Sequence, residues 1–183
     1  MRKTDLDGKG MWEYSAILAR YRALCRNMKI HPRSIAPNPA DYTTQRGWIS
    51  PVMDEIFKGM RNGDLACACI AIDLIEEDGG FAFGSIMKAR AARELKRMRL
   101  NEEQKQRIRR RVLDMLQRKF MPHEFRFYVR LVARIKAGDL ADEFHALRKD
   151  ENPWVRFFAH IALGENPGPK PGRDWRLQKS FRF

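Results

Sequence analysis

The chain has 183 residues, of which 44% are hydrophobic and 32% charged, with a formal charge of +13 at pH 7 and a pI near 10.1. That composition excludes the low-hydrophobicity regime of disordered chains. No run approaches the roughly 18 apolar residues of a membrane span, and the start, Met1-Arg2-Lys3-Thr4-Asp5-Leu6-Asp7, lacks an apolar signal core, so the expectation is a cytoplasmic protein with no membrane partner.

The first ten residues are polar and are expected to be loosely held. A helix over residues 11–28 follows from Tyr14, Ile17, Leu18, Tyr21, Leu24, Cys25 and Met28, which fall on one stripe, and His31-Pro32 is expected to end it. Residues 29–48 hold Pro32, Pro37 and Pro39 with little periodicity and read as a long connection anchored by Trp48. Ser50-Pro51 caps a second helix through Val52, Met53, Ile56, Phe57 and Met60, stopped by Asn62-Gly63. Asp64 caps a third over residues 65–78, apolar nearly all round and therefore expected to be enclosed by other helices.

Gly79-Gly80 breaks the pattern, and residues 85–98 resume it through Ile86, Ala89, Ala92 and Leu95. Asn101 with Gln104 is a capping-box pattern opening a helix marked by Ile108, Val112, Leu116 and Phe120. A further stripe runs through Phe125, Tyr128, Val129, Val132 and Ile135 and closes at Gly138. Asp139 starts a short helix with Leu140, Phe144 and Leu147, and Asn152-Pro153 starts the last, ending at Gly164. No period-2 strand bounded by hairpin turns occurs. The predicted fold is all-α, about eight short helices packed as stacked antiparallel pairs, with a flexible segment over residues 1–10, one helical domain over 11–164 and an extended tail over 165–183.

The last helix carries Pro153, Val155, Arg156, Ala159, Ala162, Leu163 and Gly164, and this resembles the second helix of a HEAT repeat; Ala91 and Leu95 give a weaker echo. The resemblance covers some fifteen residues. It implies close stacking over Ala159 and Ala162, and a binding surface sooner than a catalytic pocket.

Residues 85–120 hold thirteen Lys and Arg against four Asp and Glu. Within them Arg90, Arg93, Arg97, Arg107, Arg110, Arg111 and Arg118 are candidates for binding an anionic partner, because the guanidinium fork makes bidentate contacts with phosphate or carboxylate. The same residues also read as the solvated face of a helical stack. Arg173, Trp175, Arg176, Lys179, Phe181, Arg182 and Phe183 interleave cations with aromatics, and read either as a nucleic-acid grip or as a tail that docks on its own domain or on a second copy. Asp73, Glu76, Glu77 and Asp78 gather where the third helix ends, against its dipole, and are expected to pair with arginines of the following helices.

The four histidines, His31, His123, His145 and His160, have no zinc-motif spacing, and Cys25, Cys67 and Cys69 read as buried free thiols. There is no Gly-x-Ser-x-Gly elbow and no phosphate loop after a strand, and no cofactor is expected. Two readings stay open: a non-enzymatic interaction or adaptor protein with a cationic face for an acidic protein or assembly, and a nucleic-acid-binding protein. A third, an enzyme acting on DNA, enters only because some DNA glycosylases use HEAT-like folds.

Overall fold

A computed structural model describes residues 10–36, 51–78 and 84–172. Among them are eight α-helices and no strand: α1 (Tyr14–Met28), α2 (Pro51–Arg61), α3 (Leu65–Glu76), α4 (Gly84–Leu95), α5 (Glu102–Gln117), α6 (Phe125–Ile135), α7 (Ala141–Leu147) and α8 (Pro153–Ala162). The chain divides into two compact units, Met1–Leu100 and Asn101–Phe183.

In the first unit α3 packs against α1, α2 and α4. Its residues 66–72, with Leu74 and Ile75, are buried. Each of Ile70, Ile72, Leu74 and Ile75 removes enough apolar surface from water to contribute about 1.5–3 kcal/mol. The Asp64 carboxylate caps α3, accepting from the Ala66 and Cys67 amides at 2.9 and 3.1 Å. It also accepts from the Tyr21 hydroxyl at 2.8 Å, and that oxygen accepts the Arg33 amide at 2.9 Å, so one polar chain ties α1, the segment after it and the start of α3. At the other end of α3, the buried Lys88 of α4 donates to the Glu77 carbonyl, supplying a donor and a cation where a helix leaves carbonyls unpaired. α3 stops at Glu76, two residues short of the expected end. α4 stops at Leu95 because Arg97 and Met98 turn their amides to carbonyls three residues back.

In the second unit α6 packs on α5 and α8, and α8 on α7. The expected capping box is present, with Gln104 N–H donating to Asn101 at 2.8 Å and Asn101 N–H to Gln104 at 3.1 Å. Asn152 caps α8 ahead of Pro153. The core is aromatic: Phe125 meets Phe158 edge-on at 5.2 Å and Tyr128 at 6.2 Å. Arg109, in the middle of α5, is buried and donates through Nε to the Lys136 carbonyl at 2.8 Å and through Nη2 to Ile135 at 3.2 Å. The C-terminal end of α6 therefore lies beside the middle of α5, and the two helices run antiparallel. Gly138 sits at φ +63° with its α-carbon so near the guanidinium that a β-carbon would lie 2.6 Å from Arg109 Cζ, so both backbone and space require glycine there.

Helix ends follow two chemistries. Gly63 (φ 82°) and Gly164 (φ 77°) close α2 and α8 with the paired amide-to-carbonyl bonds of a Schellman turn. Lys29 (φ 54°) and Lys119 (φ 56°) close α1 and α5 with the same bonds. A left-handed lysine costs about 1–2 kcal/mol in backbone sterics, partly offset by a cation at a helix C-terminus, about 0.3–1 kcal/mol. Lys136, after α6, adopts φ 66° and ψ 151°, a region that glycine alone occupies readily.

Candidate anion-binding face

Of the seven arginines singled out in residues 85–120, four have carboxylate partners. In the first unit Arg90 pairs with Asp54 and lies over the Phe57 ring at 4.7 Å. Arg97 bonds Glu94 at 3.3 Å, and Glu94, buried, also takes Arg61 at 3.1 Å. Arg93 is exposed. In the second unit Arg111 and Arg118 share Asp114, Arg111 at 3.7 Å. Arg107 is half-buried, and Arg110 is exposed with no ion pair among the described residues. The neighbours follow suit: Lys105 bonds Glu102 at 3.3 Å, and Arg109 meets both Glu102 and Asp139. The Glu102 carboxyl is held below its ordinary value of 4.5, first by its hydrogen bond from Arg109 and then by that from Lys105. Many of the cations over residues 85–120 are thus engaged in ion pairs within their own unit.

Lys96, Arg99 and Arg110 stay exposed without a carboxylate among the described residues, but the longest regular row of such cations lies on another helix. α6, Phe-Arg-Phe-Tyr-Val-Arg-Leu-Val-Ala-Arg-Ile, contains three arginines and no acid. Arg126, Arg130 and Arg134 are all exposed, while Phe125, Tyr128, Val129, Leu131 and Val132 are buried. At four-residue spacing on a helix rising 1.5 Å per residue, the arginines stand about 6 Å apart in a row about 12 Å long. Among the described residues none of the three has an ion pair, and Arg126 lies over the Phe127 ring at 4.8 Å. Lys136, exposed in its strained turn, stands just past the end of the row. The first unit has a shorter version on α1, where Arg22 and Arg26 are exposed one turn apart and Lys29 closes the helix.

Sequence reading passes over α6 because charge density along the chain is highest in residues 85–120. The signal that finds it is three Arg at four-residue spacing on one helix face with no Asp or Glu between residues 125 and 138; α1 is equally free of acid, but its Arg20 is off such a row and pairs with Asp73.

The remaining candidates resolve into structural roles. Asp73 bonds Arg20 of the preceding α1 at 2.9 Å. The Glu77 side chain accepts from the Trp12 indole at 3.3 Å. Among the described residues no group of three or more His, Cys, Asp or Glu side chains is arranged to hold a metal. His31 and His123 are exposed, and His160 meets Glu165 at 2.7 Å, a carboxylate that also receives Arg148 at 3.2 Å. All three cysteines are free and buried, and burial pushes the Cys25 and Cys67 thiols above their ordinary values.

No family model, curated protein or solved structure matches this chain. Its described helices include none long and apolar enough to cross a membrane. Of the tail, residues 165–172 are described: Glu165 bonds α8 through His160, and Lys170 lies 5.8 Å from the Trp154 ring. Arg173, Trp175, Arg176, Lys179, Phe181, Arg182 and Phe183 lie outside the described residues, as do Trp48 and the Gly79-Gly80 break.

Proposed function

We propose that this chain is a non-enzymatic, cytoplasmic binding protein whose cationic surface takes a polyanion. The observation that carries the reading is the row Arg126, Arg130 and Arg134 on α6, exposed and without carboxylate partners among the described residues, in a chain of net charge +13. Ordinary solvated helix faces intersperse both signs, because like charges one turn apart repel by about 0.2–0.5 kcal/mol per pair. A row that incurs this cost twice is explained by a partner that supplies the missing negative charge. The HEAT-like pattern of α8, where Val155, Ala159 and Ala162 are buried, agrees with helix pairs serving as a scaffold for a surface and not as walls of a pocket.

The test is titration of the full chain with duplex DNA, RNA and heparin over a salt series. Phosphate or sulfate contacts release counterions, so affinity falls steeply and linearly on a log-log plot of salt. The reading predicts such a slope for at least one of the three; absence of binding to all of them at low salt contradicts it.

A further inference from the structure

We infer that the α6 row is a nucleic-acid backbone site, with Arg126, Arg130 and Arg134 each taking a phosphate and Lys136 extending the row. This inference rests on the polyanion reading above and names its site and partner class. The feature that favours phosphates is regularity. The row is all arginine, the side chain whose planar fork takes phosphate or carboxylate oxygens bidentately, and it stands on one rigid helix at a constant rise. A constant spacing suits a polymer that repeats its charge at constant intervals. Lys136, in a backbone conformation suited to glycine, adds an exposed cation two residues beyond Arg134.

The exposed positions of α6 are Arg126, Arg130 and Arg134 alone, with no Asn or Gln beside them to address adenine, so guanine is the one base edge this face could address. Its row of cations at constant spacing suits contact along the backbone.

The experiment compares three variants of the full chain, each checked for helical circular dichroism, by binding to a 20-base-pair DNA duplex across a salt series. The row variant is R126Q/R130Q/R134Q. The first control, R97Q/R111Q/R118Q, removes the same charge from ion-paired positions, and the second, R22Q/R26Q, removes the α1 pair. Removing one arginine–phosphate pairing lowers the salt slope by about 1, so the row variant should lose about 3 in slope and about tenfold or more in affinity. Both controls should keep the wild-type slope to within about 1.

A row variant with the wild-type slope overturns the site while leaving the polyanion reading in place, and loss confined to R22Q/R26Q moves the site to the first unit. Poly-L-glutamate of matched charge is the remaining arm: it should bind more weakly than DNA at equal salt. Equal or tighter binding that the row variant abolishes makes the partner an acidic protein and refutes the phosphate assignment.

Discussion

Helices α5 and α6 pack against each other and are both rich in arginine, yet they treat charge in opposite ways. α5 opens with Glu102 and Glu103 at the positive end of its dipole, caps itself with the Asn101–Gln104 box, and sets Asp114 within reach of Arg111 and Arg118. α6 has no acid, begins with Arg126 in its first turn against the dipole, and repeats arginine twice more on the same face. The difference teaches that charge count and charge availability are separate quantities. In the run with the largest excess several arginines are engaged by carboxylates of their own unit, whereas the three arginines of the shorter helix have no ion pair among the described residues.

The contrast between the two helices is most exposed to test at Arg109, the cation of α5 that acts as structure. Truncating Arg109→Ala leaves the Ile135 and Lys136 carbonyls without their donor, and should cost about 2–4 kcal/mol in urea unfolding of the full chain. A loss below about 0.5 kcal/mol, the level of an ordinary surface change, would show that the buried guanidinium does not fasten the end of α6.

A smaller effect of opposite sign is expected at Lys136. Glycine there relieves about 1–3 kcal/mol of backbone strain and forfeits about 0.5–1 kcal/mol through its freer unfolded chain, so Lys136→Gly should raise stability by about 1 kcal/mol. Because Lys136 also extends the α6 row, the same variant should bind duplex DNA less tightly; a gain in both would show the lysine to be incidental.

The smallest effect concerns pH. Glu102 titrates below its ordinary value in the folded chain, so the unfolded state binds more protons in acid. Its contribution is present above pH 4.5 and is lost as pH falls through the depressed folded value. Glu102→Gln should therefore lower stability above pH 4.5 and flatten the acid limb, its curve converging on that of the unaltered chain as pH falls through the depressed folded value; a parallel shift at all pH values would contradict this.

The helices are legible in the sequence because their starts are written in short-range chemistry. Asp64, Asn101 and Asn152 each cap the helix expected of them, and the apolar run of α3 is enclosed as its all-round hydrophobicity requires. Ends are harder to read where Lys29 and Lys119 occupy turns that glycine normally marks. The site is least legible, since whether an arginine is available depends on carboxylates distant in sequence: Asp54 for Arg90, 36 residues away, and Asp73 for Arg20, 53 residues away. Local charge counting cannot see those partners, whereas the absence of acid along a whole helix is visible in the sequence once sought.

On the proposed function, α6 bears an electrostatic cost in the free protein that an anionic partner relieves. Charge reversal at the middle of the row, Arg130→Glu, tests it in one preparation by thermal melting and by DNA titration. It converts two repulsive one-turn pairs into attractive ones, so the melt should rise by the equivalent of about 1 kcal/mol while affinity for duplex DNA falls. A melt that drops, or DNA binding that survives unchanged, would contradict the account.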